Sequence, residues 1–271
     1  MADKIAFIGA GSMAEAIISG ILEMGVCSNE QILVTNKENE DRLAYLKGTY
    51  HVQTGQSKDN IMQDAAIVVL ATKPYDIKQA IMGIKPFVKP NQLIISVVAG
   101  ISTDFISTLL DKKVAVVRAM PNTSASIGMS ATALAAGEFA LTADMQRAKK
   151  LFETIGTAEI VAEADMHAVT AVSGSGPAYI YYLVEAMEKA AVRAGLPEKV
   201  AKQLIVQTVL GAGEMLQKTG ESADMLREKI TSKKGTTEAG IKTLSENHFY
   251  ETVMACVENA RKRSIELGKQ N

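Results

Sequence analysis

Two stretches of this chain combine residue types that hold small charged groups. In ITSKKGTTEAG (Ile230–Gly240), Ser232, Gly235, Thr236 and Thr237 stand where a helix begins. The first turn of a helix leaves backbone N–H groups without intrahelical partners, and the dipole there favours negative charge. Hydroxyls beside those amides suit a small anion such as a carboxylate. Lys233 and Lys234 can add attraction, although exposed loop lysines have a plainer explanation as solvated side chains. The second stretch, IAFIGAGSMAEAI, carries Gly9, Gly11 and Ala14 in a G-x-G-x-x-A pattern directly after an apolar run. Gly9 permits a tight turn, Gly11 lets a pyrophosphate approach the backbone, and Ala14 lets the helix pack close to the strand. Ser12 and Met13 supply the first free amides of that helix.

Three further loops belong to the same chemistry. In LVTNKENED, Asn36 and Lys37 stand where a site selective for NAD places an acidic residue for the ribose 2′-hydroxyl. An amide and a lysine suit a 2′-phosphate, so NADP(H) is expected over NAD(H), with NAD(H) still accepted. Glu38 and Glu40 lie in the first turn of the next helix, where the dipole accounts for them. LATKPYD places Ala71, Thr72, Lys73 and Pro74 at a strand exit that the Lys-Pro step keeps extended. VVAGIS adds Val98, Ala99 and Gly100, and RAMPNTS follows the next strand; both would line the same sheet edge or serve as ordinary connectors.

The elements that must position these residues follow from periodicity. KIAFIG, QILVTN, AIVVLAT, QLIISVV and KVAVVRAM are short runs rich in Val, Ile and Leu, apolar on both faces and separated by helical patterns. That alternation predicts a parallel sheet with helices on both sides, a doubly wound α/β domain of Rossmann type. MSATALAAG and TAEIVAE predict two more strands. After Glu163 the strands stop, and the chain reads as helices from Gly176 onward. The expected domains are therefore 1–163, which binds dinucleotide, and 164–271, all helical. The helix around Ala201–Leu216 is apolar beyond one stripe, which predicts burial against another subunit or, alternatively, a deep place inside one monomer; association of subunits is the expectation.

Composition narrows the function class. The chain has 271 residues, a net charge of −1 and 22% charged residues, so no basic footprint for nucleic acid is expected. Cys27 and Cys256, with three scattered histidines, fit no metal spacing. No run is long and apolar enough for a membrane helix. The first residues pass straight into IAFIG without a leader pattern, so a cytoplasmic location is expected.

TAVSGSGPAYIYY, taken with GAGSMAEAI, LATKP, RAMPNTS and TSKKGTTEAGI, resembles the pyrroline-5-carboxylate reductase family over nearly the whole chain. The resemblance implies NAD(P)H-dependent reduction of 1-pyrroline-5-carboxylate to L-proline, the last step of proline biosynthesis. It also implies a helical C-terminal domain that interlocks in a homodimer, with higher oligomers in some members. On the matching positions, Ser232, Gly235, Thr236 and Thr237 form the substrate loop, with Thr237 at the ring nitrogen. Ala71, Lys73, Pro74, Val98, Ala99 and Gly100 match cofactor-contacting stretches. Glu163, just before the helical domain, is a further candidate for the substrate. The chain departs from the family in three places: Lys233-Lys234 replace the Pro-Gly of a loop that commonly reads S-P-G-G, Ser124 replaces a proline, and His167 replaces a frequent aspartate. Two rivals remain at this point: a β-hydroxyacid dehydrogenase, which would want a lysine at the start of the long helix, and a non-catalytic NADP(H) sensor.

Overall fold

The structure is a computed structural model and describes residues 3–269. Among the described residues, eight strands form one sheet: β1 (Lys4–Ile8), β2 (Ile32–Thr35), β3 (Gln53–Thr54), β4 (Ala65–Leu70), β5 (Leu93–Ser96), β6 (Ala115–Met120), β7 (Ser130–Ala136) and β8 (Gly156–Ile160). Their order is β3-β2-β1-β4-β5-β6-β7-β8. All neighbours run parallel except β6 and β7. The chain order reverses between β1 and β4, which makes the gap at their carboxyl ends the switch point of the sheet.

Helices α1 (Ser12–Glu23), α2 (Glu40–Tyr50), α3 (Lys58–Met62), α4 (Ile77–Ile84), α5 (Thr103–Leu110), α6 (Thr142–Phe152) and α7 (Met166–Val169) accompany the strands. Successive side chains of a strand point to opposite faces, and both faces here are buried. Ile5 and Phe7 of β1 join Ile17 and Ile21 of α1 and Phe152 of α6 in one core. Ala6 and Ile8 join Ile77 and Ile81 of α4 and Ile106 of α5 in a second core on the other face. This is the doubly wound architecture that the apolar runs predict.

Some features were not foreseen. β3 is a two-residue edge strand of polar sequence, Gln53-Thr54, without the apolar run that marks a strand. β7 is antiparallel to β6 because the connection 121–129 holds only a short 3-10 turn, whereas a parallel return needs a crossover of a dozen residues or more. Residues Thr170–Gly174 form a π-helical turn just before the next long helix.

The helices that follow are α8 (Gly176–Arg193), α9 (Glu198–Thr219), α10 (Ala223–Lys229), α11 (Thr236–Glu246) and α12 (Phe249–Lys269). By internal contacts the chain forms two compact units. One runs up to Ser175 and includes the chain from Asn259 onward; the other is Gly176–Glu258. The expected division at 163/164 gave all of α12 to the helical part. In the structure the end of α12 packs with the sheet unit, where Ser264 is buried and its hydroxyl lies 2.9 Å from Nδ1 of His167. Within the helical unit only Ala201 and Ile205 are buried.

Candidate active site

The glycine turn sits at the switch point. Gly9 has φ +117°, and a Cβ there would stand 2.3 Å from the Ala71 carbonyl oxygen, so only glycine allows the ends of β1 and β4 to meet. Backbone bonds tie the neighbouring strand ends together: Gly9 N–H donates to Thr35 O at 2.8 Å and Ala71 N–H to Ile8 O at 2.9 Å. Gly11 caps α1 with no side-chain hydrogen bond, and a Cβ on it would meet nothing within 4 Å. Ser12, Met13 and Ala14 form the first turn of α1, whose amides have no intrahelical partner, and Ala14 is fully buried against the core. That arrangement fits the pyrophosphate of a dinucleotide.

The remaining cofactor candidates share this sheet edge. Asn36 follows β2; its Nδ2 donates to Asn39 O at 2.6 Å, while its Oδ1 is buried without a partner. An orphaned acceptor is what a ribose hydroxyl would satisfy. Lys37 is exposed and reaches Asp76 at 3.5 Å and Glu38 at 4.0 Å. Asp76, in the turn after β4, is a competitor for Lys37 that the sequence alone did not reveal. Lys73 is extended, at φ −72° and ψ 151°, and Pro74 opens the following 3-10 turn. After β5, Val98 is buried, Ala99 is exposed and Gly100 has φ +79°. The Val98 side chain belongs to the core, and its N–H donates to Ser96 Oγ at 3.3 Å. Thr72 hydroxyl donates to Lys73 O at 3.2 Å.

Arg42 of α2 was missed from the sequence. Its Nε donates to Ala10 O at 2.7 Å within the glycine turn, and its guanidinium pairs with Glu15 of α1. Glu15 also accepts from Tyr45 at 3.1 Å and Tyr50 at 3.0 Å. Burial raises the pKa of this carboxyl, but the bonds from Arg42, Tyr50 and Tyr45 outweigh it and hold Glu15 below the ordinary glutamate range. No motif marks Arg42; only the fold brings it to the turn.

Glu163, expected to meet the substrate, has other partners. Its carboxylate accepts from Thr103 N–H at 2.8 Å and from the Thr103 hydroxyl at the start of α5. It also faces Arg118 Nη1 at 3.5 Å. Arg118 itself was overlooked, although a charged residue inside the buried run AVVRAM is a readable signal.

The predicted anion loop lies in the helical unit. Gly235 N–H donates to Ser232 O at 2.9 Å, which closes a turn over 232–235. A Cβ on Gly235 would stand 2.5 Å from Ser232 Oγ. Gly235 caps α11 with no side-chain hydrogen bond. The structure thus brings Ser232, Gly235, Thr236 and Thr237 together at one helix start. Lys234 adopts φ +60°, and its N–H donates to Glu238 Oε2 at 2.7 Å.

A dinucleotide turn at the switch point of a doubly wound sheet, followed by an all-helical segment, defines an oxidoreductase that uses a nicotinamide dinucleotide. Residues 163–267 match the family model described as pyrroline-5-carboxylate reductase dimerisation. Residues 4–100 match one described as NADP oxidoreductase coenzyme F420-dependent. Pyrroline-5-carboxylate reductase 2 of Bacillus subtilis (strain 168) is 47% identical, over 98% of this chain and 96% of its own. A solved pyrroline-5-carboxylate reductase from Coxiella burnetii superposes with TM-score 0.93 at 36% identity, covering 98% of this chain and 99% of its own. The Plasmodium falciparum pyrroline carboxylate reductase, solved with NADP bound, gives TM-score 0.87 at 27% identity, with 98% of each chain covered. The chain belongs to the pyrroline-5-carboxylate reductase family.

Proposed function

We propose that this protein is a pyrroline-5-carboxylate reductase that transfers a hydride from NAD(P)H to the C=N carbon of 1-pyrroline-5-carboxylate and yields L-proline. The observation that carries this reading is the uncapped start of α11, where Ser232, Thr236 and Thr237 surround free amides. A compact ring bearing one carboxylate suits such a nest. Relatives that carry the reductase name over nearly the full length support the same reaction.

Gly9, Gly11, Ser12, Met13, Ala14, Asn36, Lys37, Ala71, Thr72, Lys73, Pro74 and the backbone of Val98–Gly100 would hold the dinucleotide. When bound, it supplies the hydride. A protonated imine is already electrophilic, so no strong acid is required of the protein. Ser232 and the first-turn amides of α11, those of Thr236 and Thr237, hold the carboxylate, with Gly235 shaping the turn before them. Thr237 Oγ1 accepts from or donates to the ring nitrogen and orients it. What these residues contribute is placement and exclusion of water. Glu163, with its carboxylate committed to Thr103 and Arg118, positions the start of α5 rather than the substrate.

NADP(H) is the preferred form in this reading, supported by Asn36 and Lys37 after β2. The functional division is 1–163 for cofactor and 164–271 for substrate and dimer contacts. A homodimer through the helical unit is supported by its exposed apolar side chains, among them Leu183 of α8, Leu204 and Leu210 of α9 and Met254 of α12. The test is NADPH consumption by the full chain with 1-pyrroline-5-carboxylate, with L-proline measured as product. Oxidation of 3-hydroxy acids with NADP without any proline formed would replace this reading with a β-hydroxyacid dehydrogenase.

A further inference from the structure

Glu15 stands in the first turn of α1, the helix whose first amides fit the pyrophosphate. The helix dipole favours a carboxylate there on its own account, but a carboxylate and a pyrophosphate at one helix start repel each other. Burial raises the pKa of Glu15, yet the bonds from Arg42, Tyr50 and Tyr45 outweigh it, so the group is charged at neutral pH. A dinucleotide site with an ionised acid in its helix needs something that cancels the charge.

Three side chains of α2 meet that need. Arg42 Nη2 pairs with Glu15 Oε2, and the hydroxyls of Tyr45 and Tyr50 donate to Oε1 at 3.1 and 3.0 Å. All three partners lie on α2, so the carboxylate is turned towards that helix. Arg42 is itself held on several sides. Its Nε donates to Ala10 O at 2.7 Å, and its Cζ lies 5.0 Å from the centroid of the Tyr45 ring. Its backbone N–H donates to Oδ1 of Asn39, the cap of α2, at 2.8 Å. The guanidinium thus bridges Ala10, between the two glycines of the turn, and Glu15. The pair is half-buried, where salt and water screen it less than on an open surface.

We propose that Arg42 is a positioning residue for the dinucleotide: it draws the Glu15 carboxylate onto α2 and cancels its charge, which leaves the start of α1 free to take the pyrophosphate. The proposal rests on the dinucleotide reading of the 9–14 turn and adds to it a residue that acts through Glu15. Its consequence is a reversal of sign. Removing the arginine alone leaves an unpaired acid near the phosphates and weakens binding, whereas removing both charges restores it. A residue that only braces the fold behaves otherwise, because two lost contacts then weaken the site more than one.

The test measures the dissociation constant of NADPH by calorimetry with the full chain, for the wild type, Arg42→Gln, Glu15→Gln and the double variant. Melting curves confirm that each is folded. Arg42→Gln is expected to bind NADPH about tenfold more weakly, with the loss in KM for NADPH rather than in kcat. Glu15→Gln keeps the shape and hydrogen bonding of the acid, and is expected to bind as tightly as the wild type or more tightly. The double variant should return to within about threefold of the wild type. Wild-type affinity in Arg42→Gln, or a double variant as weak as Arg42→Gln, would overturn the proposal. So would weaker binding by Glu15→Gln, a result that stands even where Arg42→Gln does not fold. A wild type that binds no NADPH would instead overturn the dinucleotide reading, and the proposal with it.

Discussion

The backbone N–H of Lys234 donates to the Glu238 carboxylate at 2.7 Å, and Lys234 stands in the left-handed region at φ +60°. The family's loop commonly carries glycine at this position. Lys234 keeps a glycine-like conformation, and Glu238 reaches back from the first turn of α11 to hold it. The replacement of Pro-Gly by Lys-Lys therefore alters side chains while the chain still turns over 232–235.

That strain is removable. A non-glycine residue in the left-handed region costs about 1–2 kcal/mol, partly offset when glycine adds freedom to the unfolded chain. Lys234→Gly is expected to stabilise the protein by about 0.5–1 kcal/mol and raise Tm by roughly 1–3 °C. Calorimetry checks this; a lower Tm would mean that the conformation is not strained.

Lys37→Asp should move preference from NADPH towards NADH. It removes a phosphate partner and adds a charge that repels phosphate. Because Lys37 is more than half exposed, the effect is discounted to about tenfold in the NADPH/NADH ratio of kcat/KM. An unchanged ratio would place Lys37 away from the 2′ position. Asp76→Asn should act in the opposite direction, by releasing Lys37.

Glu15 gives the fold a pH dependence. Burial raises its pKa, but the bonds from Arg42, Tyr50 and Tyr45 together lower it from the ordinary 4.5. A carboxyl depressed in the folded state stabilises the fold above its unfolded pKa, and the contribution fades as pH falls through the folded value. Glu15→Gln should therefore be less stable than wild type near neutral pH. The gap should close in acid, below the glutamate range. Urea unfolding across that range checks it, and a gap independent of pH would mean that the charge of Glu15 contributes nothing.

The parts of this molecule written in local pattern were legible. Ile5–Ile8 and Ala65–Leu70 are apolar on both faces, and that alone demands helices on both sides of a parallel sheet. Gly9 and Gly11 sit between a strand and a helix, so their spacing carries meaning. Contacts between residues distant in sequence were not legible. Nothing in the helical spacing of α12 says that Ser264 would pack beside His167. Glu163 looked free because its partners, Thr103 and Arg118, lie on two other elements. Gln53-Thr54 pairs as an edge strand through backbone alone, which leaves no apolar signature.

The most direct measurement compares NADPH consumption with 1-pyrroline-5-carboxylate by the wild type and by Thr237→Val. Valine keeps the shape of threonine and removes the hydroxyl, so the dinucleotide edge is untouched. The site is left with an unmet polar contact worth about 1–3 kcal/mol, which corresponds to roughly a 5- to 150-fold loss in kcat/KM. The predicted result is turnover to L-proline by the wild type, that loss in Thr237→Val, and NADPH affinity nearly unchanged. Wild-type efficiency in Thr237→Val would remove this hydroxyl from catalysis, and no turnover by the wild type would contradict the reductase assignment itself.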